Sequence, residues 1–547
     1  MQASDVLSPK RAEAVKNAMR HCWNGYKQHA WGYDELKPQS GRGQNNWGGM
    51  GVTLLDSLDT LWLMGLRAEF DEATEWIESH LNFNIGKTVS VFETTIRSLG
   101  GLLTAYDLSG KKIFLDKAID LGKRLFRAFD SPSGIPVGQI NLATGAGHNA
   151  AWTSSSSILA EIGTLQVEFR YLAEVSGNPQ MFTKSTQVFK TVKNNNAMSD
   201  GLAPIYVSPQ SGRFTTGRVT FGALGDSWYE YLLKCWIQGG KTEDWLREMV
   251  RNCFCCFVFL LMLQTFLTFS LTTPFLFNFI FFGSSSSFFS FFNFHFLYLL
   301  LDFIFLCKYK QYINNSYIFC SKTTQYDNAM TGMATKLLKR TSRSNLAYVS
   351  DWDGGRNVHK MDHLVCFLPG ILALGAYSKP DSPNRDRDMM LAKSLMYTCY
   401  QMYKRTKTGI AAEYYEMPGG GDPQPATRAP FYILRPETAE SLFVLNQLTG
   451  NPIYRDWSWD MFSAIEKYCK TQYGYGAWPD VRQTGRRPDD RMESFWLGET
   501  LKYFYLIHVP MEEHGIDLTK YVFNTEAHPT RTLPEVRKAI AEAKARL

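Results

Sequence analysis

"WLREMVRNCFCCFVFLLMLQTFL", residues 245–267, begins in a charged, amphipathic segment and runs into one apolar enough to enter a bilayer. Its reading decides between a membrane protein and a soluble fold carrying a foreign stretch. About 20 apolar residues suffice to span a membrane, and no Asp, Glu, Lys or Arg occurs from Asn252 to Leu301. Hydropathy alone therefore favours a membrane segment. Composition opposes it. About half of the 37 Phe lie between Val250 and Gln325, Ser and Cys are frequent, Ala and Val are scarce, and "GSSSSFFSFFNF" (residues 283–294) is of low complexity. T-rich DNA read as codons gives this mixture, because TTT is Phe and its neighbours are Leu, Ser, Cys and Tyr.

The flanks supply an internal test. "EDWLREM" places Trp245, Leu246 and Met249 on one helical face, and "YDNAMTGMATKLL" offers Tyr326, Ala329, Met330, Met333, Leu337 and Leu338. With the 76 residues 250–325 removed, these apolar positions run on at three- and four-residue steps in one phase, as a single amphipathic helix requires. "VRN" can be encoded with a GT splice donor and Gln325 with a terminal CAG. Residues 250–325 thus read as a translated retained intron, and residues 1–249 with 326–547 as one domain. A genuine membrane insertion is the competing reading.

The remainder repeats. "LSGKKIF" (108–114), "VSGNPQMF" (175–182) and "LTGNPIY" (448–454) each separate two apolar-periodic segments, as a glycine turn at a helix C-terminus does. Gly110 and Gly177 are 67 residues apart, and Gly177 to Gly450 is close to three further repeats once the 76 residues are set aside. "IQGGKTEDW", with Gly240, supplies an intermediate turn. A period in the sixties fits a helix pair with its connections, and stacked pairs build a solenoid or closed toroid. Strand signals are confined to short pieces such as "APIYVSP" and "GRFTTGRVTF". The expected fold is all-α, a single toroid of paired helices with minor β-hairpins. The formal charge of +6 is spread without a basic run, which argues against a nucleic-acid partner.

Chemistry must come from the helix ends. "VFETTIR" sets Glu93 four residues before Arg97, "ALGDSWYEYLLK" sets Asp226 just after Gly225 with Glu230 four residues on, "LRPETAESL" points Glu437 and Glu440 the same way behind Arg435, and "MESFWLGETLKY" aligns Phe495 with Glu499. One such Glu is ordinarily a solvated or ion-paired surface group. Several of these sit instead among Phe, Leu, Trp and Gly, where an unpaired charge is costly and its pKa perturbed. Paired carboxylates beside an aromatic platform suit glycosidic cleavage, in which one acid protonates the leaving oxygen and another group activates water.

These motifs, with "KMDHLVCFLPG" (360–370) and "VFNTEAHP" (522–529), occur in the order found in the class I α1,2-mannosidases, glycoside hydrolase family 47, which the chain resembles from "AWGYDELKP" (30–38) onward except in residues 250–325. The resemblance implies an (α/α)7 barrel that removes terminal α1,2-linked mannose from N-linked high-mannose oligosaccharides of glycoproteins, with inversion and a bound Ca²⁺. By matched position, Glu93 resembles the general acid and Glu437 the general base. Asp226 is the third catalytic carboxylate, and the formal acid is left open between Glu93 and Asp226. Arg97, Leu224, His363, Arg435, Phe495 and Glu499 would contact the sugar, with Phe495 under its apolar face. Thr525 would bind Ca²⁺ directly through its carbonyl and hydroxyl, and Glu437, Glu440, Glu499 and Glu526 through water. No HExxH or CxxC pattern accompanies His528, so zinc is not implied.

Five cysteines fall in residues 250–325; of the other five, Cys366 and Cys399 match the family's disulfide, which implies an oxidising compartment. The opening residues carry no signal or anchor segment, so the expected endoplasmic-reticulum or Golgi enzyme, a type II membrane protein, would be anchored by a segment missing here. Leu224 tilts specificity toward Golgi-type trimming, while "YDELKP" and "WIQGGK" resemble the endoplasmic-reticulum type. Alternatives are a glycan-binding quality-control protein of the same fold with weak hydrolysis, and a membrane protein if the Phe-rich stretch is genuine.

Overall fold

The computed structural model describes residues 3–195, 200–247 and 325–545. Met249 and, apart from Gln325, the stretch read as a retained intron lie outside these residues. Contacts divide the chain into one unit, Met1–Arg247 with Tyr326–Leu547, and a second, Glu248–Gln325. The first unit alone is described below.

Its glycine turns explain its architecture. Gly110, Gly177 and Gly450 end their helices with φ of +70°, +69° and +66°, the left-handed conformation that glycine adopts without a Cβ penalty. Gly240, at φ +76°, follows the helix Asp226–Gln238. Each of these turns sends the chain from an inner helix back along an outer one. The inner helices are Leu58–Leu63, Gly100–Ser109, Gln166–Ser176, Asp226–Gln238, Leu368–Ser378, Glu437–Thr449 and Leu501–Leu506. Each packs on the next, and the turn Trp496–Thr500 that leads into the last packs back on the first, closing a ring. Outside them, in the same order, pack Arg67–Ser79, Lys112–Leu125, Pro179–Lys193, Asp244–Arg247, Arg385–Lys404, Ile453–Tyr468 and, against the last inner helix, the first helix of the chain, Ala3–His29. The toroid is thus an (α/α)7 barrel.

Burial follows the two roles. The outer helix Lys112–Leu125 buries Phe114, Ala118, Leu121 and Leu125 along one stripe, the period of a surface helix. The inner helix Asp226–Gln238 is buried on every face, Glu230 and Lys234 included, so its polar groups must be satisfied inside the barrel. At the fourth outer position Leu246 is buried, and beyond residue 325 so are Tyr326, Ala329, Met330, Met333 and Leu337. Tyr326 Oη donates to the Ile371 carbonyl on the fifth inner helix (3.0 Å). No helix among the described residues is long and apolar enough to cross a membrane.

Strand structure among the described residues is limited to small antiparallel ladders of two or three strands. Tyr206–Val207, in a stretch with a strand signal, pairs with Ser157–Ile158. Strands of two or three residues elsewhere carry no period to read. The hairpin Tyr521–Phe523 with Pro529–Arg531 packs against the fourth and second inner helices, so that its turn, Asn524–His528, enters the ring.

Candidate active site

The rim opposite the glycine turns is formed by the N-terminal ends of the inner helices, and a cavity of about 280 Å³ opens there. Asp226 and Glu437 are the first residues of the fourth and sixth inner helices, where the helix dipole favours negative charge. Arg97 and Glu499 lie in π-helical turns, Thr94–Leu99 and Trp496–Thr500, that lead into the second and seventh. A π-turn widens the helix locally and is frequent at functional sites. Thr525 and Glu526 reach the cavity from the hairpin turn. Three non-glycine residues with positive φ flank these groups: Leu224 at +78°, Leu434 at +70° and Ala527 at +59°. Such strain persists only where surrounding structure enforces it.

Of the residues singled out from the sequence, Glu93, Arg97, Leu224, Asp226, Arg435, Glu437, Glu440, Phe495, Glu499, Thr525 and Glu526 all line this cavity. His363 does not. It is fully buried behind Glu437, with Nδ1 2.9 Å from Glu437 Oε2. A carboxylate only accepts, so the proton sits on Nδ1 and Nε2 takes the Tyr403 hydroxyl at 2.7 Å. Arg435 lies 3.6 Å from Glu437 and is held bidentate by Glu413, with Nε 2.9 and 2.8 Å from its two oxygens. Arg97 donates to Glu93 at 2.9 Å and also pairs with Glu526, while its guanidinium lies 5.4 Å from the Phe495 ring.

The carboxylates separate by environment. Burial alone would raise Glu437, but the His363 hydrogen bond and Arg435 hold it below its ordinary value. Asp226 is pushed up to about 7 by burial and by the charges of Glu230 and Glu437. Burial raises Glu440 to about 8, and raises Glu499 and Glu526 well above the carboxylate range, Lys234 and Arg97 offsetting it only in part. The cavity therefore gathers more carboxylate charge than its cations neutralise, the condition a bound cation relieves. Among the described residues no three Asp, Glu, His or Cys side chains converge as direct metal ligands. A metal would take Thr525 oxygens directly and the carboxylates through water, which suits a hard, oxygen-seeking ion.

Several functional neighbours were not marked as site residues by the sequence. Glu161 lines the cavity and is raised to about 7 by burial and by Glu93, but "LAEIGTLQ" carries no distinguishing pattern. Glu230 accepts the Thr525 hydroxyl at 2.9 Å, and its place four residues after Asp226 was the available signal. A larger cavity of about 940 Å³ lies at the opposite rim, lined among others by Tyr377, Gln447, His508 and Met511. It contains no comparable cluster of buried carboxylates, so chemistry rather than size selects the site.

Residues 18–255 and 304–532 match the profile of glycosyl hydrolase family 47. The chain is 39% identical over 529 residues to a mannosyl-oligosaccharide 1,2-alpha-mannosidase of Arabidopsis thaliana, covering 96% of this chain and 80% of the relative. It is 38% identical over 536 residues to an endoplasmic reticulum mannosyl-oligosaccharide 1,2-alpha-mannosidase of Homo sapiens, covering 96% and 65%. The solved alpha-1,2-mannosidase from Trichoderma reesei superposes with a TM-score of 0.74 at 27% identity, covering 96% of this chain and 99% of that one.

Proposed function

The chain belongs to glycosyl hydrolase family 47 and is a glycoside hydrolase; from that premise we propose that it removes terminal α1,2-linked mannose from high-mannose N-glycans, with inversion and with Ca²⁺ held at Thr525. The observation that carries this reading is the split between two carboxylates at helix N-termini. Glu437 is held down by His363 and Arg435, whereas Asp226 is raised to about 7. Near neutral pH one has lost its proton while the other still holds it about half of the time, which is what an acid–base pair requires.

In this mechanism Glu437 accepts a proton from the attacking water, and His363 and Arg435 fix the carboxylate's orientation. Asp226 gives its proton to the leaving glycosidic oxygen. Phe495 offers its face to the apolar side of the mannose ring, and Arg97 holds Glu93 and Glu526 at the cavity wall. Thr525 would hold the cation through its carbonyl and hydroxyl, and Glu437, Glu440, Glu499 and Glu526 through water. When bound, Ca²⁺ supplies a hard Lewis acid with six to eight oxygen positions, which orients water and sugar hydroxyls. Leu224, whose side chain lines the cavity beside Asp226, supports the broader, Golgi-type trimming.

The buried Cys366–Cys399 disulfide supports maturation in an oxidising lumen, endoplasmic reticulum or Golgi. Two observations favour residues 250–325 being foreign to the domain: the family match is interrupted from 256 to 303, within that stretch, and on its flanks Leu246, Tyr326, Ala329, Met330, Met333 and Leu337 of the apolar face are buried.

The deciding experiment follows release of mannose from an α1,2-linked oligosaccharide by NMR. The β-anomer should appear first, and excess calcium chelator should abolish release. First appearance of the α-anomer would remove inversion, and full activity in chelator would remove calcium.

A further inference from the structure

The turn that presents Thr525 contains five backbone carbonyls, from Asn524 to His528, and three are occupied. The Asn524 carbonyl accepts from Lys234 Nζ at 3.2 Å, the Ala527 carbonyl from Lys502 Nζ at 2.7 Å, and the His528 carbonyl from the Asn524 N–H at 3.1 Å. The carbonyls of Thr525 and Glu526 have no partner among the described residues. Both lysines are buried and come from opposite sides of the ring, Lys234 from the fourth inner helix and Lys502 from the seventh. Each is fixed by carboxylates: Lys234 by Glu230 and by Glu440 at 3.4 Å, Lys502 by Asp59 at 2.6 Å. Neither lysine lines the cavity.

We propose that Lys234 and Lys502 are positioning residues that clamp the carbonyls on either side of Thr525, so that only the middle of the turn is left to a cation. A turn of this kind has several carbonyls able to face a metal; Asn524 Oδ1 fixes the inner peptides by accepting from the Glu526 and His528 N–H groups at 2.9 and 2.8 Å, and the two lysines hold the outer carbonyls. Two tethered ammonium groups occupy the outer carbonyls, and Ala527 at φ +59° stores the resulting bend. The Thr525 hydroxyl is fixed by the same face of the fourth helix, since it donates to Glu230 at 2.9 Å and leaves its lone pairs free. Preorganisation of this sort strengthens binding by removing ordering costs.

This inference rests on the calcium reading above, and calorimetric titration of the metal-free full chain with CaCl₂ separates the two. Lys234→Met, Lys502→Met and Ala527→Gly are compared with the parent, and the unfolding midpoint of each is recorded in chelator. The expected result is a calcium Kd raised roughly tenfold or more in each lysine variant and roughly threefold in Ala527→Gly. Ala527→Gly relaxes the turn without removing a buried charge, so it reports even where a lysine variant does not fold. A purely structural role would lower the unfolding midpoint and leave Kd unchanged. Parent-like Kd in every folded variant would overturn the clamp while leaving calcium in place. No calcium uptake by the parent would remove the calcium reading, and the clamp with it.

Discussion

At the residue scale the working parts are separable by substitution. Glu437→Gln keeps the size and hydrogen bonding of the side chain but cannot accept the proton of water. Its turnover should fall about 10²-fold or more, the scale of a lost general base. Asp226→Asn should lose a comparable factor on the oligosaccharide, yet recover most of it on α-mannosyl fluoride, whose leaving group needs no proton. If Glu93→Gln shows that recovery and Asp226→Asn does not, the acid is Glu93. The two substrates thereby settle the choice that sequence left open. Motif spacing brought these carboxylates to light because each sits at a helix start with its neighbours in fixed phase. Glu413, which holds Arg435 from a connecting segment, was invisible for the opposite reason: no period links it to the residue it serves.

The element scale is where sequence reading was most complete. Helix turns at Gly110, Gly177 and Gly450 were legible because a left-handed residue is needed there and glycine supplies it without strain. A Cβ at Gly450 would meet nothing within 4 Å. Gly450→Ala therefore tests the backbone alone, and should cost about 1–2 kcal/mol in urea unfolding. The small ladders and the π-turns carrying Arg97 and Glu499 were not legible, since both depend on packing around the barrel rather than on local pattern. Cys366 and Cys399 join the start of the fifth helix pair to its outer helix across 33 residues. Closing a loop of that length constrains the unfolded chain by about 3–4 kcal/mol in the entropy model. Cys366→Ser with Cys399→Ser should lose up to that amount, measured by denaturant unfolding, without change in the calcium affinity of the folded protein.

For the whole molecule, pH acts through groups far from the cavity as well as through the raised carboxylates within it. Burial lowers His508 to about 3 and His514 to about 4, so both stay neutral in the folded chain while the unfolded chain takes up protons below about 6.5. Their contribution is complete above that value and is lost as pH falls through the window toward 4 and then 3. At pH 5 each costs about 2 kcal/mol relative to pH 7. His508→Gln should raise the unfolding free energy at pH 5 relative to pH 7 by that amount over the parent; an unchanged difference would show that His508 makes no such contribution. Residues 250–325 pose a larger question at the same scale. Their Phe-rich sequence should favour aggregation or membrane association. Full-length and deleted chains expressed side by side should differ in soluble yield and in mannose release, and equality in both would mean that the fold accommodates the stretch.

The closure of the ring also sets a clock. The helix Ala3–His29 is made before every inner helix, but the one it packs against, Leu501–Leu506, is the last of the seven to be made. Arg11 waits for Asp456, and the His21 ring for the Thr471 carbonyl. At about 5–20 residues per second that interval is on the order of 25–100 s. Throughout it Cys22, buried in the finished molecule, is without the Trp496 indole that donates to its sulfur. A ribosome stalled before Leu501 leaves an open horseshoe that lacks both its last inner helix and the turn bearing Thr525. Nascent chains should therefore depend on holding factors from their first helix onward, and truncation anywhere upstream should abolish the site by leaving the circle unclosed.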